Sequence, residues 1–464
     1  MTNWAALDRA HEHAAAWLAS VPTRPVGPAA SYEQMLAALG GDLPAGPVDP
    51  AAVIDALAAA AEPGLTAMQG GRFFGFVIGG TLPAALAADW LVSAWDQNSG
   101  LLAVTPATVA AEAVAAGWVV DLLGLPPDSL GGFVTGGCMA NTTCLAVGRH
   151  HVLAAAGWDV ESDGLQGAPR LHVVVSDERH ATVDSALRYL GIGDATAHRV
   201  ATDDQGRVRL EDLAAALDEG GGAPTVLSLA AGNVNTGAFD PLPEAIELAH
   251  ARGAWVHVDG AFGLWAAASP RYRHLTEGAA GADSWASDAH KWLNVPYDCG
   301  IAITRHPASH RATMAAHADY LIESAGPPDP LELVPEFSRR ARGVPVYAAL
   351  RSLGRRGVTD LVERCCGHAT RFAAGFAGLE GAAVLNDVVL NQVLVRFDDD
   401  DATTQAVGAG VLADRTSYLS PTVFKGRAAL RVSVSGWQTD ADDVDRTVAV
   451  VADVLGRVRR DRAR

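Results

Sequence analysis

The segment AWVHVDGA (residues 254–261) decides the fold class of this chain of 464 residues. It is a short apolar run that ends on a carboxylate, Asp259, and is followed by small residues. Short apolar runs that alternate with helical stretches predict a mainly parallel β-sheet covered by helices on both faces. The other runs of this kind are LHVVVS (171–176), TVLSLAAG (225–232), DSWASD (283–288) and GIAITR (300–305).

A lysine follows one of these runs directly, in SDAHKWLN (287–294). The chain has only two lysines, Lys291 and Lys425, so lysine chemistry has two candidates. Ligands of such sheets bind at the carboxyl ends of the strands, where Lys291 lies. Burial lowers the pKa of a lysine, and the neutral amine attacks aldehydes. Lys291 is therefore a candidate Schiff-base residue; the alternative is a structural ion pair with Asp288.

Asp259 ends the strand predicted for residues 254–259 and would face the same crevice. In pyridoxal phosphate (PLP) chemistry an anion at this position pairs with the pyridine nitrogen and keeps the ring protonated, so that the ring accepts electrons. The alternative is an aspartate that caps the next helix.

A glycine-rich turn, GGFVTGGCMAN (131–141), precedes a helical run. Such a turn directs backbone N–H groups toward an anion, and the helix dipole adds to the attraction. A cofactor phosphate would be held by Gly136, Gly137, Cys138 and Met139. The turn is neither a Walker A motif nor GxGxxG.

Two further polar positions follow predicted strands. His180, in SDERHATVDSA, can stack on a flat ring, or it can be a helix cap or surface residue. Asn235, in AAGNVNTGAFDP (230–241), can bond ring substituents or simply shape a turn.

The pattern predicts four segments along the chain. Residues 1–70 form an Ala-rich helical arm that packs either on a second subunit or on its own domain. Residues 71–317 form a large α/β domain, and 318–345, rich in Pro, Gly and charge, form a mobile loop or a plain linker. Residues 346–464 form a smaller α+β domain.

Composition excludes several classes of function. Lys and Arg total 35 against 53 Asp and Glu, a net charge of −18, which disfavours nucleic acid and anionic membranes as partners. The five cysteines show no CxxC spacing, which indicates a reducing cytoplasm and neither a disulfide framework nor a metal site. Uncharged runs are broken by Gly, Pro or Asn and do not predict membrane spans.

Together these segments resemble the group II PLP-dependent amino-acid decarboxylases, which include aromatic-L-amino-acid, glutamate and histidine decarboxylases. The matching segments cover about residues 70–310, and Asp259 and Lys291 lie 32 residues apart in two of them. In chain order the matches are TGGCMAN, SDERHATVDSALR, GNVNTGAFDPL, VHVDGAFGLWA and ADSWASDAHKWLNVPYDCG.

The resemblance implies a role for each matched residue. Lys291 would form the Schiff base with PLP, Asp259 would pair with the pyridine nitrogen and His180 would stack on the ring. Ala261 would pack under the other face of the ring, and Asn235 stands where the family often has Thr. The residues implied around the phosphate are Gly137, Cys138, Met139, Asp288 and His290.

The implied fold is fold type I, the aspartate-aminotransferase-like fold, with the active site at a homodimer interface. The implied reaction removes CO₂ from an L-amino acid and releases the amine. Three other PLP reactions stay open on the same scaffold: Cα–Cβ cleavage, oxidative decarboxylation–deamination to an aldehyde, and transamination.

One feature departs from the aromatic decarboxylases, whose mobile loop carries a Tyr thought to protonate the substrate carbon. Here no Tyr occurs between Tyr320 and Arg339. Candidates for the proton donor are His180, Glu332 and Glu336.

The substrate side chain is predicted from GGRFFGFVIGG (70–80) and WDQNSGLLAVTP (95–106), where the resemblance places pocket residues. Their apolar character favours an aromatic or apolar amino acid, although most of these residues can equally be core. The predicted pocket residues are Phe74, Phe76, Val77, Trp95, Leu101 and Leu102.

Overall fold

The computed structural model describes residues 4–315 and 327–464. The helices are α1 (Ala5–Ser20), α2 (Tyr32–Leu39), α3 (Pro50–Ala61), α4 (Pro83–Trp95), α5 (Pro106–Leu122), α6 (Gly137–Ala155), α7 (Val160–Asp163), α8 (Ala181–Tyr189), α9 (Leu210–Asp218), α10 (Leu242–His250), α11 (Pro307–Met314), α12 (Gly343–Ala377), α13 (Asp401–Asp414) and α14 (Ala441–Arg462). The strands are β1 (Phe73–Phe74), β2 (Leu130–Val134), β3 (His172–Ser176), β4 (His198–Val200), β5 (Thr225–Ala230), β6 (Trp255–Asp259), β7 (Ser284–Asp288), β8 (Gly300–Thr304), β9 (Ala382–Val384), β10 (Gln392–Phe397), β11 (Tyr418–Phe424) and β12 (Arg427–Ser433).

The chain divides into two compact units. The first unit comprises Met1–Ile78, Arg371–Val384 and Val395–Arg464, and the second comprises Gly79–Thr370 and Leu385–Leu394. The N-terminal helices thus belong to the same unit as the C-terminal part of the chain. The boundaries predicted above for the helical arm, the large domain, the loop and the small domain remain predictions.

The second unit is built on a seven-stranded sheet with the order β2-β8-β7-β6-β5-β3-β4. Strands β3 to β7 pair in parallel, and β8 is antiparallel to both β7 and β2. The mainly parallel sheet predicted from the apolar runs is therefore confirmed. Its strands are buried along almost their whole length, as expected for a sheet covered on both faces.

One edge of this sheet gathers the carboxyl ends of its parallel strands. Asp259 at the end of β6 pairs with Ala230 at the end of β5 and with Ala286 near the end of β7. Gly300, which begins β8, pairs with Val134 of β2 on one side and with Asp288 of β7 on the other. The turn after β2 and the loop after β7 therefore leave the sheet side by side.

Strand β2 was not predicted, because its sequence LGGFV contains two glycines and glycine weakens strands. The structure gives the reason for one of them. A Cβ on Gly132 would lie 2.7 Å from the carbonyl oxygen of Leu333 and 2.7 Å from a methyl carbon of Val334. Glycine is needed here because another segment approaches the strand closely.

The first unit carries a five-stranded sheet with the order β1-β11-β12-β10-β9. Strands β11 and β12 form an antiparallel pair, and β1, from the N-terminal part of the chain, pairs in parallel with β11. Helices α13 and α14 pack on each other, and α13 packs on β11 and β12. Together they form an α+β unit.

Helix α12 is broken at Gly354, whose φ is +62° and ψ is 175°. A residue with a side chain rarely adopts this backbone conformation, whereas glycine does so without steric cost.

None of the helices within residues 4–315 and 327–464 is long and apolar enough to span a membrane. Cys144, Cys299, Cys365 and Cys366 are buried thiols, Cys138 is a half-buried thiol, and none of the five forms a disulfide in the described residues.

Part of the predicted loop 318–345 is anchored in the second unit by a buried ion pair. The Arg339 guanidinium donates to the Glu112 carboxylate at 2.6 and 3.1 Å and to the carbonyl oxygen of Phe133 at 3.0 Å. The side chains of Arg339 and Glu112 are only 1% and 6% exposed. The predicted loop also includes residues 318–326, which lie outside the described residues.

We expect Glu112→Gln to lower the free energy of unfolding by about 3–5 kcal/mol, because it leaves the buried Arg339 cation without an anionic partner. Denaturant unfolding followed by circular dichroism measures the change. Asp445→Asn is the matched control, since its partner Arg371 and Asp445 itself are about half exposed. We expect a change of less than about 1 kcal/mol for the control. Equal effects of the two substitutions would contradict a stabilising role for the buried pair.

Candidate active site

Lys291 lies three residues after the end of β7. Its Nζ is 2.9 Å from Oδ2 of Asp288, and the two side chains are 18% and 2% exposed. The ion pair that the sequence left open as an alternative is therefore present. The Lys291 side chain nevertheless keeps part of its surface exposed at the carboxyl edge of the sheet.

A histidine and a tyrosine extend this group. Nε2 of His290 is 3.7 Å from Oδ1 of Asp288, too far for a hydrogen bond, and Nδ1 accepts a bond from the backbone N–H of Cys299 at 3.1 Å. Burial lowers the pKa of His290, which favours the neutral imidazole. The ring of Tyr297, which sequence reasoning missed, stacks on His290 with centroids 4.4 Å apart. Burial and the nearby Asp288 carboxylate raise the pKa of Tyr297 to about 12.

The N-terminus of the 19-residue helix α6 lies against Asp288. Its first helical hydrogen bond runs from the N–H of Ala140 to the carbonyl of Gly136, so the N–H groups of residues 137–139 precede the helical ladder. A Cβ on Gly137 would lie 2.7 Å from Oδ2 of Asp288, and one on Gly300 would lie 2.4 Å from the carbonyl carbon of Gly136. Gly137 and Gly300 therefore let the N-terminus of α6 lie close to Asp288.

Cys138 and Met139 continue this first turn. Burial raises the pKa of the Cys138 thiol, which keeps it protonated at neutral pH. These two residues therefore contribute backbone N–H groups, and the helix N-terminus favours an anion such as a phosphate.

Asp259 is held by two hydrogen bonds. The backbone N–H of Ala261 donates to Oδ1 at 3.2 Å, and Nδ2 of Asn141 donates to Oδ2 at 3.0 Å. The bond from the N–H of Ala261 is a local side-chain to backbone bond, similar to the helix cap that was the alternative role for Asp259. The bond to Asn141 comes from helix α6 and ties the end of β6 to it.

His180 is exposed and is the N-cap of helix α8. Its Nδ1 accepts the backbone N–H of Thr182 at 3.2 Å and lies 2.8 Å from Oγ1 of Thr182. The helix-cap alternative is therefore present as well. Because Nδ1 is an acceptor, the neutral ring carries its proton on Nε2.

Asn235 lies in the loop after β5, the strand whose end pairs with Asp259. Its side chain is buried, and its backbone N–H donates to Oδ1 of Asn233 at 2.9 Å. Ala261 follows Asp259 by two residues and is half-buried.

A buried histidine behind the site was also missed. His257 is fully buried, with Nε2 2.8 Å from Oδ1 of Asn141 and Nδ1 2.9 Å from Oγ of Ser284. Burial lowers the pKa of His257 to about 4. A signal existed in the sequence, because His257 and Asp259 are two residues apart on one strand and therefore share a face.

Three of the predicted pocket residues lie in the first unit. Phe74 is fully buried and packs edge-on against Phe372 with ring centroids 4.8 Å apart, and Val77 is also buried. Phe76 is 55% exposed and lies 5.9 Å from the ring of Tyr418.

The other three lie in the second unit. Trp95, at the end of α4, is 49% exposed. Leu101 and its neighbour Leu102 are partly exposed, and the backbone N–H of Leu102 donates to Oδ1 of Asp329.

The second unit thus presents the groups that PLP requires. Lys291 offers an amine to an aldehyde, Asp259 offers a carboxylate to a pyridine nitrogen, and the glycine-lined N-terminus of α6 suits a phosphate.

Comparison with known proteins also indicates a PLP-dependent protein. A sequence profile described as "Pyridoxal-dependent decarboxylase conserved domain" matches residues 33–398. The chain belongs to the pyridoxal-dependent decarboxylase family.

Individual members of this family resemble the chain over most of its length. L-2,4-diaminobutyrate decarboxylase of Rhizobium meliloti (strain 1021) is 29% identical over 391 residues, which cover 81% of this chain and 75% of that protein. Tyrosine decarboxylase 4 of Petroselinum crispum is 26% identical over 415 residues, 84% of this chain and 81% of that protein. The crystal structure of Oryza sativa TDC with PLP and tryptamine matches with a TM-score of 0.91 at 22% identity, over 97% of both chains.

The resemblance predicted from the sequence is therefore confirmed, together with the fold type I architecture. The protein is a PLP-dependent amino-acid decarboxylase, a carboxy-lyase. The family leaves open the particular amino acid and the role of each residue.

We expect Gly300→Ala to weaken PLP binding by about ten-fold or more, because overpacking against Gly136 costs about 1–3 kcal/mol and displaces the N-terminus of α6. Absorbance titration of the apoenzyme with PLP measures the affinity. Gly117→Ala in α5 is the control, since its Cβ would meet no atom within 4 Å. Unchanged affinity in Gly300→Ala would contradict a phosphate site at this turn.

Proposed function

We propose that this decarboxylase converts an L-amino acid with an aromatic or apolar side chain to the corresponding amine and CO₂, with Lys291, Asp259 and His180 as the catalytic residues. The observation that carries the proposal is the placement of Lys291, paired with Asp288, at the edge of the sheet where Asp259 also ends its strand.

Bound PLP supplies an electron-accepting ring for the electron pair that the departing CO₂ leaves behind. Asp259 would hold a proton on the ring nitrogen. Its bonds from Asn141 and from the N–H of Ala261 would hold the carboxylate in place for that role.

Lys291 must deliver a neutral amine to the cofactor aldehyde. Asp288, 2.9 Å from Nζ, orients the amine. The N–H groups of residues 137–139 would bind the phosphate, with Asp288 and His290 beside it, and Asn235 and Ala261 would border the ring.

His180 is the residue we propose as the proton donor to the substrate carbon. Its Nδ1 accepts hydrogen bonds, so Nε2 carries the proton that it would give. His180 is exposed, and solvent would return a proton to the ring at Nδ1 as Nε2 gives its own, so that the ring stays neutral. Among the alternatives, Glu332 pairs with Arg311 at 3.0 Å, and Oε2 of Glu336 is buried without a hydrogen-bond partner in the described part of the chain. Tyr320 lies outside the described residues.

The preference for an aromatic or apolar substrate is supported by the similarity to a tyrosine decarboxylase. In the second unit, Trp95 exposes a large apolar side chain. The diaminobutyrate decarboxylase is similar at 29% identity, so a diamino acid belongs in any substrate screen.

We further propose that the protein is a cytoplasmic homodimer. Helices α1 and α3 leave an apolar groove of about 540 Å³ between them, lined in part by Trp17, Ile54 and Leu57. Trp4 and Leu7 nearby are 66% and 58% exposed, an apolar surface that a second copy of the chain would cover. A monomer in light scattering at micromolar concentration would contradict the dimer.

We expect Lys291→Arg to abolish decarboxylation, because a guanidinium keeps the charge opposite Asp288 but cannot act as a nucleophile. Lys425→Arg, the same change at the only other lysine, should keep the activity of the wild type. CO₂ and amine release are measured across aromatic, apolar and diamino acids with PLP present. Aldehyde and ammonia in place of amine would contradict simple decarboxylation, and activity in Lys291→Arg would contradict the role of Lys291.

We expect His180→Asn to lower kcat by about 10²–10⁴-fold, the usual contribution of a general acid. Asparagine is a favourable N-cap, so the melting temperature should stay near that of the wild type. His180→Ala, which also removes the cap, should lose both activity and stability. Wild-type kcat in His180→Asn would show that another group protonates the substrate.

A further inference from the structure

A single buried amide touches both Asp259 and the residue that orients His180. Asn141 of helix α6 is fully buried. Its Nδ2 is 3.0 Å from Oδ2 of Asp259 and 3.1 Å from Oγ1 of Thr182. An amide nitrogen carries two hydrogens, so both bonds form at once.

The charge of Asp259 fixes which way this amide points. With the amide reversed, Oδ1 of Asn141 would face a carboxylate oxygen at about 3 Å with no proton between them, and unpaired buried acceptors are costly. The nitrogen therefore faces Asp259, and Oδ1 faces Nε2 of His257 at 2.8 Å.

His257 completes the support of the amide. Oδ1 of Asn141 only accepts, so Nε2 of His257 must carry a proton. Burial lowers the pKa of His257 to about 4, so the ring is neutral and its Nδ1 accepts from Oγ of Ser284 at 2.9 Å. The same Oγ accepts from Nε1 of Trp255 at 3.0 Å, an indole N–H that can only donate.

Thr182 determines which ring nitrogen of His180 carries the proton. Oγ1 of Thr182 accepts from Asn141, so its own hydrogen is available to Nδ1 of His180 at 2.8 Å. The backbone N–H of Thr182 approaches the same Nδ1 at 3.2 Å. Two donors on Nδ1 leave the neutral ring protonated at Nε2.

We propose that Asn141 is a positioning residue that fixes the carboxylate of Asp259 and the tautomer of His180 together, and that neutral His257 fixes Asn141. The roles of Asp259 and His180 that this serves are those of the proposed function. All of these groups lie in the second unit, on α6, β6, β7 and α8.

Two substitutions at His257 separate positioning from packing. The side-chain amide of His257→Gln can still donate to Asn141, whereas His257→Leu fills space without a donor. We expect His257→Leu to weaken PLP binding and lower kcat/KM by about ten-fold each, the effect of losing roughly one hydrogen bond. His257→Gln should stay within about two-fold to three-fold of the wild type. PLP binding to apoenzyme is measured by absorbance titration. Equal values for the two variants would overturn the proposal.

Asn141→Ala tests the amide itself, and we expect it to weaken PLP binding by more than about ten-fold. Thr404→Ala in the first unit is the control, because that buried hydroxyl bonds the backbone of Phe397 and Asp400. It should lower the melting temperature and keep wild-type PLP affinity.

Wild-type PLP affinity in a folded Asn141→Ala would overturn the proposal, and if that variant does not fold, the His257 pair decides. The affinity measurement needs no substrate. A wild-type protein that binds PLP but decarboxylates nothing would defeat the proposed function alone.

Discussion

The site depends on the contact of Gly300 with Gly136 at the edge of the seven-stranded sheet. A Cβ on Gly300 would lie 2.4 Å from the carbonyl carbon of Gly136, so only glycine lets the turn after β2 cross the start of β8. Because Val134 and Asp288 both pair with Gly300, this crossing brings the N-terminus of α6 against the end of β7. The N-terminus of a long helix and the amine of Lys291 thereby both lie against Asp288.

The two carboxylates of the site are treated differently by their surroundings. Asp288 is paired with the cation of Lys291 at 2.9 Å. The hydrogen-bond partners of Asp259 are neutral groups, the amide of Asn141 and the N–H of Ala261. Asn141 is in turn bonded to His257, which burial keeps neutral. Neutral donors orient a carboxylate without cancelling its charge. In the proposed function Asp259 would pair with the ring nitrogen, while Asp288 would serve the amine of Lys291.

The sequence predicted the parallel sheet because its buried strands are unbroken apolar runs. It placed Asp259 and Lys291 at one edge because Asp259 ends such a run and Lys291 follows another by three residues. It missed β2, whose Gly132 reflects the close approach of Leu333 and Val334, a contact between distant segments. The link from His257 through Asn141 to Asp259 was missed for the same reason, since it joins β6 to α6 over 116 and 118 residues. The break at Gly354 depends on one backbone conformation that glycine permits but does not require.

We propose that Lys291 is the residue that binds PLP covalently. Borohydride reduction of the PLP-loaded protein, followed by peptide mass spectrometry, identifies the residue, because the chain offers only Lys291 and Lys425. We expect one pyridoxyl group per chain, on the peptide that contains Lys291. A label on Lys425, or no label on a protein that has bound PLP, would contradict it.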